Sequence, residues 1–135
     1  MNVVFDANVV AGAVCWNGDP WRCLLRLARG EVFAWGTDFT LEETRRTCVR
    51  LIQEKRPNHN AEARLEWYRA NVRTIEAAPL GKPRSRDAND DPYLACALAA
   101  QARCLVTFDN DLLDLEKPFG IEMITPAQFL RYFRH

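Results

Sequence analysis

Two short apolar runs, each closing on acids, constrain this chain most. Val3-Val4-Phe5 stops at Asp6, and Cys104-Leu105-Val106-Thr107 stops at Phe108-Asp109-Asn110-Asp111. Runs this short, rich in β-branched residues and without alternating polar positions, suit strands covered on both faces, as in a parallel sheet. Parallel neighbours need long crossovers, and helical signals fill the intervals. Asn8 and the apolar Val9-Val10-Ala11 follow the first strand. After the Gly18-Asp19-Pro20 break, Trp21, Leu24, Leu25, Leu27 and Ala28 recur at helical spacing up to Gly30. Val32-Phe33-Ala34-Trp35 reads as a second strand. A helix is expected from Phe39 to about Arg56, capped by Thr37 or Asp38 and ended by Pro57, and another from Asn60 to Tyr68.

Val72-Arg73-Thr74-Ile75 reads as a third strand, followed by a polar loop with Pro79, Gly81 and Pro83. An acidic cluster then leads into an alanine-rich helix that Asp90 can cap, with Pro92 in its first turn. A short helical segment, Leu112 to Leu115, a strand Glu122-Met123-Ile124 and a last helix from Thr125-Pro126 through Phe133 complete the pattern. Strands alternating with helices predict an α/β fold: a three-layer α/β/α, doubly wound, mainly parallel sheet of about five strands. A length of 135 residues makes this a single domain, 1–135.

Composition removes several function classes. Apolar residues at 48% and charged residues at 27% exclude a disordered chain, and a formal net charge of zero means that any nucleic-acid contact must be local. No apolar run approaches the roughly 20 residues that span a bilayer, so a cytoplasmic protein with no membrane association is expected. Five cysteines without a C-x-x-C pair read as reduced and buried, and His59 and His135, which lack metal-ligand spacing, as solvated surface. The four tryptophans read as packing residues rather than a base-stacking platform, and Arg45, Arg46, Arg50, Lys55 and Arg56 as the solvated side of their helix, with a phosphate-tracking role as the alternative.

In a doubly wound sheet the functional site lies at the carboxyl ends of the strands, where the strand order reverses. Asp6 and Asp109 stand at two such ends. Clustered carboxylates repel one another unless a cation sits between them. Mg²⁺ and Mn²⁺ prefer oxygen ligands and need only one or two direct carboxylates each. Phosphodiester hydrolysis is the chemistry that most often uses such a site. Asn8 either fixes Asp6 or belongs to its turn, Glu42 and Glu43 share a charged helix, and Asp87, Asp90 and Asp91 cannot all be ligands. Thr107 either bonds a neighbouring carboxylate or continues the strand.

Taken in order, Val3 to Val9, Glu43, Asp90 to Ala97, Leu105 to Leu113 and Ile124 to Leu130 resemble the PIN domain, especially the small toxin-like ribonucleases of bacterial type II toxin–antitoxin systems. The resemblance implies an acidic catalytic site of Asp6, Glu43, Asp91 and Asp109, with Asp111 as a further metal-binding acid. Asn8, Thr107 and Asp90 would support it. Glu43 is preferred to Glu42 by its distance from Thr37, and Asp91 to Asp90 by its distance from Leu94-Ala95. Ala7 departs from the family, where Thr or Ser is common. The resemblance further implies Mg²⁺ or Mn²⁺, an RNA substrate, a homodimer and a cognate antitoxin. Two rivals are an RNA- or antitoxin-binding module that cuts little and a phosphoryl-accepting receiver domain. The receiver would want a lysine after the last strand, which this chain lacks there.

Overall fold

The computed structural model describes residues 1–134; His135, expected at the surface, lies outside the described residues. The sheet holds β1 (Asn2–Phe5), β2 (Phe33–Gly36), β3 (Arg73–Thr74), β4 (Cys104–Val106) and β5 (Glu122–Ile124). Its order is β3-β2-β1-β4-β5, and every pairing is parallel. The order reverses between β1 and β4. There Val3, Val4 and Phe5 pair with Cys104, Leu105 and Val106, which brings the two acid-ended strands side by side.

Alternation along β1 and β4 builds a core on each face. Val3, Phe5, Cys104 and Val106 pack with α1 (Ala7–Cys15), α2 (Asp19–Ala28), α3 (Asp38–Lys55), α4 (Ala61–Asn71) and α7 (Pro126–Leu130). Val4 and Leu105 pack on the other face with α5 (Asp91–Ala99) and α6 (Asn110–Leu113). This is the expected three-layer α/β/α arrangement with an all-parallel sheet. Burying a side chain such as Leu105, which is fully shielded, contributes about 1.5–3 kcal/mol.

Several elements differ from the sequence expectation. The stretch after Asp6 is a helix, α1, in which Val9, Val10, Ala11, Ala13, Val14 and Cys15 are all buried. With Asn8 as its one exposed polar side chain, this helix has too narrow a polar face to set a period. Arg64 on α4 closes its carboxyl end, donating to Ala13 O and Trp16 O. His59, expected in solvent, is half-buried with Nε2 2.7 Å from Val14 O at the same end. The final helix tightens into a 3-10 turn over Arg131–Phe133. Gly36 ends β2 because a Cβ there would collide with the Leu41 side chain of α3. All five cysteines are buried thiols, and burial pushes Cys23, Cys48, Cys96 and Cys104 up to about 12, which leaves them inert. No helix among the described residues is long and apolar enough to cross a membrane.

Candidate active site

Thr107 organises the junction of β1 and β4. Fully buried, it donates to Asp6 Oδ2 at 2.7 Å and accepts from the Asp109 backbone N–H at 2.9 Å, so one hydroxyl fixes both strand-end acids. Asp6 caps α1 through its other oxygen, which accepts the Ala7 N–H at 2.8 Å. Burial raises its pKa above the ordinary value, against the pull of the Thr107 and Ala7 hydrogen bonds, and the charges of Asp109 and Glu43 add to the rise. Asp109 in turn caps α6 by accepting the Asp111 N–H.

From α3 comes Glu43. A capping box formed by Thr37 and Thr40 starts this helix, and Glu43 projects one and a half turns later. Tyr93 on α5 donates its hydroxyl to Glu43 Oε1 at 2.6 Å, and burial, with that bond adding, raises the tyrosine pKa. Glu42 turns the other way and chelates Arg45 at 2.7 and 3.0 Å. Successive helical residues lie about 100° apart, so only one of the two glutamates can face the sheet.

Asp90 is the most perturbed acid. Only 8% exposed, it ends a 3-10 turn over Ala88–Asp90 that Asp87 caps through the Asn89 N–H. Burial, then hydrogen bonding and repulsion from Asp109, with Asp6 and Asp87 adding, push its pKa up to about 7. Its Oδ2 is buried without a partner. The expected cap on α5 is not made by its side chain.

Asp6, Glu43, Asp90 and Asp109 thus converge on one cleft of about 490 Å³, lined also by Ala7, Asn8, Asp87, Asn89 and three residues of α3. Asn8 is exposed on the first turn of α1, in the cleft lining. Asp91, the acid preferred from sequence, is not in that lining. Its carboxylate accepts the backbone N–H groups of Arg84 and Ser85 at 3.1 and 2.8 Å, tying down the polar loop. The 3-10 turn, invisible in the residue spacing, is what points Asp90 inward instead. Asp111 lies to one side, paired with Arg86 at 2.9 Å. Together with Asp87 and Asp90 it places carboxylate oxygens within 4.8 Å of one another.

A family model described as the PIN domain matches residues 2–111. This chain belongs to the PIN domain family. PIN domains are generally nucleases that use divalent metals. Among solved structures, this PIN domain is similar to PAE2754 from Pyrobaculum aerophilum, with a TM-score of 0.60 and 18% identity over 97% of this chain and 88% of the other. That likeness is one of fold. No curated protein matches the chain in sequence.

The residues fit a divalent cation. Every donor in the cleft is a hard oxygen, the unpartnered Asp90 Oδ2 lacks a positive counterpart, and the raised pKa values of Asp6 and Asp90 register the same deficit. Asp6, Glu43, Asp90 and Asp109 would hold the ion, with Asp87 and Asp111 beside Asp90 for a second.

Two substitutions separate holding the ion from holding the loop. Asp91→Ala should cost about 1.5–3 kcal/mol in denaturant melts, since two N–H donors lose a charged acceptor, yet keep Mn²⁺ affinity within a few fold. A loss of Mn²⁺ affinity as large as that of Asp6→Asn would make Asp91 a ligand after all. Tyr93→Phe removes only the hydroxyl on Glu43 and is expected to weaken Mn²⁺ binding about 10–100-fold by calorimetry, as for other partners of metal ligands. Unchanged affinity would show that Glu43 is positioned without it.

Proposed function

We propose that this PIN domain is a Mg²⁺- or Mn²⁺-dependent endoribonuclease that hydrolyses RNA phosphodiester bonds, acting in the cytoplasm as the toxin of a toxin–antitoxin pair. The observation that carries the reading is the convergence of Asp6, Glu43, Asp90 and Asp109 where the strand order reverses, around a buried and unpartnered carboxylate oxygen. A divalent ion bound there supplies the charge that lowers the pKa of a water and offsets the negative charge of the leaving oxygen. The protein's own part is orientation. Thr107 holds Asp6, Tyr93 holds Glu43, and burial beside Asp109 raises the pKa of Asp90, so its carboxyl is the one that gains most from a neighbouring positive charge.

The toxin part of the reading predicts a homodimer and a small cognate antitoxin that blocks the cleft. Induced alone in a bacterial host, the chain is expected to arrest growth, and the Asp6→Asn protein is not. Normal growth under strong expression of the folded wild-type protein would remove the toxin role and leave the nuclease to be judged by cleavage in vitro.

A further inference from the structure

We propose that Arg46 and Arg50 of α3 form a phosphate-binding wall that holds the RNA strand against the acids; the proposal rests on the ribonuclease reading. Glu43, Arg46, Thr47 and Arg50 are spaced by three, four and seven residues, so they share one face of α3, and all four line the same cleft. Five carboxylates also line it, and a polyanion approaching them is repelled. The formal net charge of the chain is zero, so attraction for RNA has to come from charges at the cleft itself.

The two arginines are available for that role. Arg45, their neighbour, is spent on a bidentate pair with Glu42 and does not line the cleft. Arg46 reaches Glu42 only at 3.8 Å, with both side chains half or more exposed, a contact worth little. Arg50 is exposed and makes no ion pair within 4.0 Å among the described residues. Guanidinium groups bind phosphate oxygens in a two-pronged geometry that a lysine cannot reproduce. One helical turn apart, they present two such forks along the strand, beside the acids that would hold the metal.

The test is the salt dependence of binding to a short fluorescein-labelled single-stranded RNA, in EDTA so that no strand is cut. Wild type, Arg46→Ala, Arg50→Ala and the double variant are compared, with Arg45→Ala as control. The slope of log affinity against log salt is expected to shrink by about 0.7 for each cleft arginine removed and to stay unchanged for Arg45→Ala. In Mn²⁺, any cleavage should show a raised KM with kcat near that of the wild type. A double variant whose slope equals that of the wild type would overturn the wall, and a wild type that still cuts RNA would leave the nuclease reading standing. A slope that shrinks as expected in a protein that cuts no RNA would support the wall and remove the nuclease reading.

Discussion

Asp6→Asn is expected to lower RNA cleavage by more than about 100-fold while the protein stays folded. Substitutions at outer partners of metal ligands already cost about 10–100-fold, and Asp6 is proposed here as a ligand rather than as a partner of one. The fold should survive because the asparagine carbonyl can still accept the Ala7 N–H that starts α1. Its amide can donate to the Thr107 oxygen in place of the present bond. Removing a buried charge also relieves the repulsion that Asp109 and Glu43 exert there, so the metal-free melting temperature should hold or rise. Single-turnover cleavage and a thermal melt check the two halves. Cleavage by the pure variant at the wild-type rate would sink the assignment of Asp6.

The second large effect is a pH dependence of stability centred on Asp90. Burial and the neighbouring acids hold its folded pKa at about 7, against 3.8 for an ordinary aspartate. Between these values the folded state keeps a proton that the unfolded state has released, so stability falls as pH rises across the window from about 4 to about 7. Asp6, also raised, acts in the same direction. The difference between wild-type and Asp90→Asn melting curves isolates the Asp90 contribution, because the neutral amide has nothing to lose. In metal-free buffer the variant should therefore gain on the wild type as pH rises toward neutrality. Excess Mn²⁺ at neutral pH should reverse the order, stabilising the wild type by about 2.7 kcal/mol at 100 times Kd and the variant far less. A gap that narrows with rising pH in EDTA would contradict the burial and repulsion assigned to this carboxyl.

Much of this site is legible in the sequence because strand ends are. An acid directly after a short β-branched run sits at the rim of a parallel sheet, which exposes Asp6 and Asp109, and the Thr-x-Asp spacing places Thr107 between them. What stayed hidden depends on contacts between distant segments. That Asp90 rather than Asp91 lines the cleft turns on Arg84 and Ser85 N–H groups folding back onto Asp91, and no periodicity records a 3-10 turn of three residues. Tyr93, read only as part of an alanine-rich helix, gains its role from Glu43 fifty positions away. Helix α1 is hidden for the opposite reason: apart from Asn8 and the half-buried Gly12 it is buried, and hydrophobic patterning needs a wider wet face.

The most direct test is cleavage of a mixed RNA panel by the purified protein in Mn²⁺ or Mg²⁺, beside EDTA and the Asp6→Asn protein. Products that need the metal and vanish in the variant are the predicted result; equal products in EDTA or from Asp6→Asn, or none from any RNA, would contradict a metal-dependent ribonuclease built on these acids.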